Sequence, residues 1–262
     1  SGRLSNTGSD AAGRNYGQPH TSITENPNGN SSWATGRLTV AGNAAGEDPS
    51  KHFDMAVSSA NIVVIAYYDE ADGQLKIKYS PSALTGTNPA SRIAWKDSPV
   101  DLPYYTGTYV SMVMDAANGI HIAAFDAVDS DLKYIYIPNY EAASYTATTV
   151  DQYGAVGNWT QIKLKNNVPY IAYYNATETG GRDTIKLAWA GNAVTSMADV
   201  KGGVDAGGYT TGEWEYMTVP AIDPPQGGST KFQKVNLDFT ADGRPVLGYL
   251  ATYIEFSYPV GE

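Results

Sequence analysis

The feature that most limits what this chain can become is a stretch from Tyr109 to Ile137, YVSMVMDAANGIHIAAFDAVDSDLKYIYI, whose grammar returns along the chain. It holds three short segments of period-two alternation separated by turn residues, the pattern of half-buried antiparallel strands. The first set runs through Phe53–Ser58, Ile62–Asp69 and Leu75–Tyr79, with a further strand near Arg92–Lys96. Asp72-Gly73 between its second and third strands is a hairpin signal, because both residues tolerate the positive φ of a tight turn. The second set is Tyr109–Asp115, Ile120–Asp126, Leu132–Ile137 and Tyr145–Val150; the third is Trp159–Lys165, Tyr170–Asn175, Ile185–Ala190 and Glu215–Val219. The fourth has Phe232–Asp238, Pro245–Leu250 and Ile254–Tyr258.

The phasing can be checked residue by residue. A small residue sits in the middle of every second strand, at Ala66, Ala123, Ala172 and Gly248. The first strands place Met55/Val57, Met112/Met114, Ile162/Leu164 and Val235/Leu237 on one face, to pack between sheets. Four-stranded units recurring in this way are the signature of propeller blades, so the fold expected is an all-β propeller, four blades of four antiparallel strands. Trp33–Val40 reads as a strand that completes the last blade, alongside Ile254–Tyr258. Tyrosine, 20 residues against 5 phenylalanines, suits such half-wet sheets.

Residues 1–31 are rich in Gly, Ser, Asn and Thr and are read as a flexible arm, with a short edge strand from Tyr16 to Ile23 as the competing reading; residues 32–262 form the propeller. The Ser-Gly start, with no basic-then-apolar leader, reads as a mature form or an excised piece. A formal net charge of −10, with Lys and Arg scattered singly, argues against nucleic acid and anionic membranes as partners. No apolar run approaches the roughly 20 residues of a membrane span, so no membrane insertion is expected. There are no cysteines, which rules out disulfides and thiolate metal sites.

The segments 109–136, 157–190 and 236–249 also resemble a repeat of secreted and surface bacterial proteins, of approximate form Y-x-S-L-A-L-D, G-x-P-H-I, Y-Y-D and L-K-Y-A. Thr148-Thr149-Val150-Asp151 through Gly157 echoes its T-T-V-D-x-x-G-x-V-G element. The resemblance implies propeller blades and a location outside the cytoplasm, and it carries no catalytic set. Asn175 and Ala251 replace the Asp that Asp69 and Asp126 supply at the Y-Y-D corner.

Candidates for chemistry are sparse. His121 lies in an alternating strand and reads as a core residue; His20 sits in the arm and His52 precedes the first blade strand. No metal site and no cofactor is expected, because ligand pairs at metal spacing are missing. The Asp-rich corners at 69–73 and 126–131 suggest calcium only superficially, since hairpins select Asp and Gly anyway. Asp54 could pair with Lys163 or Lys234 on the axis.

The function read from these features is a non-catalytic extracellular, periplasmic or cell-surface binding module for a glycan or protein ligand. Its site would combine Tyr104, Tyr105, Tyr153 and Trp159 with the corner acids Asp69 and Asp126 on the loop face, because rigid aromatic area beside carboxylates suits sugar recognition. The alternatives are a propeller glycoside hydrolase with Asp54, Asp115 and Asp238 as candidate acids, and a structural domain of a larger surface protein.

Overall fold

The computed structural model describes residues 20–23, 34–37, 49–83, 95–176, 184–190, 214–219, 233–250 and 254–257. Every element among them is a β-strand. Blade one is β3 (Pro49–Val57), β4 (Val63–Asp69), β5 (Gln74–Tyr79) and β6 (Lys96–Asp97). Blade two is β7 (Thr106–Met114), β8 (Ile120–Asp126), β9 (Asp131–Ile137) and β10 (Thr146–Asp151). Blade three is β11 (Val156–Lys165), β12 (Val168–Asn175), β13 (Thr184–Ala190) and β14 (Trp214–Val219). In blade four the described strands are β15 (Gln233–Phe239), β16 (Pro245–Leu250) and β17 (Ile254–Ser257). Each sheet is antiparallel in chain order, and the first strands β3, β7, β11 and β15 lie side by side, as the inner strands of a four-bladed propeller do.

The N-terminal strand behaves differently from the expectation. β2 (Ala34–Arg37) pairs with β1 (His20–Ile23), His20 against Arg37 and Ile23 against Ala34, and no pairing with β17 is described. A local hairpin satisfies its backbone groups with a short loop closure, whereas completing blade four requires joining the two ends of the chain. The rest of the predicted arm lies outside the described residues.

The alternation seen in the sequence becomes three layers of core between blades. Val64, Ala66 and Ile77 of blade one meet Met112, Ile120 and Ile122 of blade two. Leu132 and Tyr134 meet Ile162, Ile171 and Tyr173 across the next boundary, and Ile185 and Leu187 meet Val235, Leu237 and Leu247 across the third. Burying a side chain of this size contributes roughly 1.5–3 kcal/mol. Blade one's Met55 and Val57 stay exposed, although Met55's counterparts Met112 and Ile162 are buried.

The Asp72-Gly73 hairpin forms as predicted: Gly73 takes a φ of 69° and its N–H donates to the carbonyl of Asp69. A second glycine is fixed by packing. Gly107, at φ 141°, lies where a Cβ would come within 2.9 Å of Leu75 and Tyr68.

Candidate active site

The residues nearest the axis are set by an irregularity that recurs in the inner strands. The register shifts between Thr108 and Ser111 in β7, between Asn158 and Gln161 in β11, and between Gln233 and Val235 in β15. At these bulges Tyr109 (φ 54°), Trp159 (φ 54°) and Lys234 (φ 59°) adopt the left-handed conformation. Such a backbone costs of order 1–3 kcal/mol for a bulky residue, and bulges re-aim the side chains they carry. Thr160 helps hold the geometry across the blade boundary by donating its hydroxyl to the carbonyl of Tyr109.

The equivalent position in blade one, two residues before Asp54, is His52. The rings at these positions touch in series. His52 meets Tyr109 at 4.6 Å between centroids, and Tyr109 meets Trp159 at 4.8 Å. Phe125 lies 6.3 Å from Tyr109. The result is a half-buried aromatic arc across three blades, at the end of the axis where the inner strands enter.

Two residues further along each strand comes a polar layer. Asp54, Ser111, Gln161 and Asn236 stand opposite the small residues Ala66, Ala123, Ala172 and Gly248, which leave them room. Asp54 Oδ2 accepts from Met112 N–H at 2.8 Å and Ser111 Oγ at 3.1 Å, while Oδ1 accepts from Met55 N–H at 2.8 Å. Ser111 Oγ in turn accepts from Gln161 Nε2 at 3.1 Å and Ile162 N–H at 3.2 Å.

Burial pushes the Asp54 carboxyl above its ordinary range, outweighing these hydrogen bonds and the field of Lys163. The expected ion pair is therefore replaced: Asp54 is held by a neighbouring hydroxyl and amides, and Lys163 acts on it without a direct contact among the described residues. Asn236 is exposed, and so is Asp238, two residues beyond it on the same strand face.

Asp238 and Asp115 do not occupy the same place in their blades. The turns after β7, β3 and β15 open on Asp115, Ser58 and Thr240, whose N–H groups donate to the carbonyls of Gly119, Ile62 and Arg244. Asp238 lies two residues earlier, in the strand. Asp115 caps its own turn through Ala117 and Gly119 and reaches His121 Nε2 at 3.3 Å. His121 Nδ1 meets Tyr134 Oη at 2.7 Å, so both nitrogens of this buried imidazole have partners, as a core residue requires. Burial pushes His121 below its ordinary range and the Tyr134 phenol far above its own.

The loop-face candidates are distributed otherwise than expected. Tyr104, Tyr105 and Tyr153 are exposed, at 57%, 56% and 47%. Tyr105 straps two hairpins, its N–H donating to Gly73 and its carbonyl accepting from Ala127, while Tyr104 forms a bridge with Gln74. Asp69 and Asp126 are buried. Asp69 binds Ala71 N–H and Lys76 Nζ, the latter at 2.8 Å; Asp126 accepts from Val128 N–H and Thr106 Oγ1 and lies 3.7 Å from Lys133. These acids close corners, with their oxygens turned to lysine ammonium groups and amides. Trp159 belongs to the axial arc with Tyr109.

No family model and no curated protein matches the sequence. Solved structures similar to it include a bifunctional GH43-CE protein from Bacteroides eggerthii, at 14% identity and TM-score 0.45 over 78% of this chain and 23% of that one. A PL25 ulvan lyase is similar at 12% identity and TM-score 0.47, over 79% of this chain and 51% of its own. An α-L-arabinanase from Cellvibrio cellulosa is similar at 14% identity and TM-score 0.43, over 79% and 71%. The chain thus spans 23% and 51% of the length of the first two.

The expectation of a non-catalytic binding module is corrected here. Two of these structures are named a polysaccharide lyase and an α-L-arabinanase; the likeness to them is one of fold. The geometry gives the reason: the acids meant to line the loop-face site are buried beside lysines, while the rings of His52, Tyr109 and Trp159 touch in series one layer above Asp54.

Proposed function

We propose that this chain is a glycan-acting propeller enzyme, working outside the cytoplasm, that cleaves a glycosidic bond at the mouth of its axis. The observation that carries this reading is the aromatic arc His52–Tyr109–Trp159, with Tyr109 and Trp159 held in the left-handed conformation, set one layer above Asp54, a carboxyl that burial pushes above its ordinary range. Rigid rings supply a face for a pyranose or furanose ring at little entropic cost. A carboxyl with a raised pKa suits a general acid, which protonates the leaving oxygen. Asp238, exposed on the equivalent face of β15, supplies the second carboxylate, as base toward water or as nucleophile at the anomeric carbon.

Release of reducing ends from a panel of polysaccharides, arabinan and ulvan included, tests the proposal. Asp54→Asn and Asp238→Asn are each expected to lower kcat by about 100-fold or more. No cleavage of any glycan, or cleavage untouched by both substitutions, overturns it.

A further inference from the structure

On the reading that the axial mouth seats a sugar, we infer that the sugar is anionic, a uronate or sulfated unit whose charged group is met by Lys234. Lys234 occupies the fourth blade's copy of the bulge position that Tyr109 and Trp159 hold, with the same left-handed backbone, φ 59° against 54° and 54°. β15 packs beside β11 as β11 packs beside β7. At this position residues of successive blades stand within ring-contact distance, 4.6 Å from His52 to Tyr109 and 4.8 Å from Tyr109 to Trp159. The same step from Trp159 arrives at Lys234, whose side chain is exposed. The arc of rings thus ends in an ammonium group.

A backbone strained in this way for a lysine makes sense where the side chain must be aimed. The charge it presents is not cancelled within its layer, since His52, Tyr109 and Trp159 carry no acid. Among the described residues, Asp69 and Asp126 face Lys76 and Lys133, Asp54 is held by Ser111 and Met112, and Asp238 lies four residues further along the strand. In a protein of net charge −10, a local cationic mouth selects an anion rather than attracting anions in general. Stacking on the rings and a charge-assisted hydrogen bond to a carboxylate or sulfate would then fix one sugar unit at two points.

The test is equilibrium binding, by the whole chain, of oligogalacturonates, sulfated carrageenan oligosaccharides and neutral arabino-oligosaccharides. The anionic ligands are expected to bind about tenfold tighter or more than the neutral ones, a charge-assisted hydrogen bond being worth that much. The preference should shrink as salt approaches 1 M, where the Debye length is about 3 Å. Lys234→Gln should remove the preference while leaving neutral binding in place, and Lys234→Arg should keep it. Preference for either anion supports the inference and tells carboxylate from sulfate. Neutral glycans bound or cleaved as well as anionic ones, or a preference that survives Lys234→Gln, overturns this inference and leaves the glycan reading standing. Failure to bind or cleave any glycan overturns both.

Discussion

Ser111 donates its hydroxyl to Asp54 Oδ2 at 3.1 Å and accepts from Gln161 Nε2 at 3.1 Å, so one serine joins three blades around the axis. The same carboxylate oxygen of Asp54 also holds the Met112 N–H, which makes Asp54 a clamp between blades one and two as well as the candidate acid.

Removing that clamp separates the two roles. Asp54→Ala leaves a buried amide and a hydroxyl without their acceptor and should cost about 1–3 kcal/mol in urea unfolding. Asp54→Asn keeps an acceptor oxygen, so it should lose activity with a smaller loss of stability. The pH dependence has a defined sign. Burial raises the folded pKa of Asp54 above its unfolded value, so the stability it adds is fully present below the unfolded pKa, about 3.9, and is lost as pH rises through the folded pKa. The wild-type minus Asp54→Asn difference in unfolding free energy should fall across that window.

His121 gives the opposite sign. Its folded pKa is depressed by burial, against the pull of Asp115, so its contribution is present above the unfolded pKa of about 6.5 and is lost as pH falls through the folded pKa. His121→Gln, which cannot titrate, should flatten the decline of Tm on going from about pH 7 to below pH 6. Equal slopes for the two proteins would show that protonation of His121 does not limit acid stability.

Asp151 and Lys186 form an ion pair that is almost wholly buried, 2.9 Å apart, with Tyr173 Oη also donating to Asp151 at 2.8 Å. Lys186→Met strands a buried carboxylate and should cost about 3–5 kcal/mol. Adding Asp151→Asn removes the stranded charge and should restore a large part of that loss, an interaction that a double-mutant cycle in urea reads directly.

The blades were legible because their signals are local: period-two alternation, a small residue at Ala66, Ala123, Ala172 and Gly248, and Asp72-Gly73 in a turn. The axial arc was hidden by the same alternation. A bulge adds one residue without interrupting the run of β-formers from Thr108 to Met112, and left-handed Tyr or Trp contradicts local preference. The available clue was the shared position of His52, Tyr109, Trp159 and Lys234, each two residues before an axial polar group. Asp69 and Asp126 were read as ligands because carboxylates in hairpin corners stood beside tyrosines. Lys76 and Lys133, each seven residues after its acid and pointing back to it, marked them as closed corners. The fourth strand of blade four was assigned from the order of strands along the chain, and that order could not foresee that β2 would take β1 as its partner.

If the arc rather than the loop face seats the ligand, truncating its central ring should do what truncating the loop tyrosines does not. Trp159→Ala removes a ring that packs, tilted, against Tyr109 at 4.8 Å between centroids and should raise KM or Kd for the glycan by about 5- to 150-fold, the range that about 1–3 kcal/mol of lost aromatic contact gives. Tyr104→Ala and Tyr153→Ala, both exposed and outside the arc, should change either constant by less than about threefold. Trp159 also packs against the core between blades three and four, so circular dichroism melts must accompany the measurement. Trp159→Phe keeps a ring at the bulge and should recover most of the affinity, which a loss caused by unfolding alone would not predict. Should Tyr104→Ala weaken the glycan as much as Trp159→Ala does, the site lies on the loop face and the axial assignment fails.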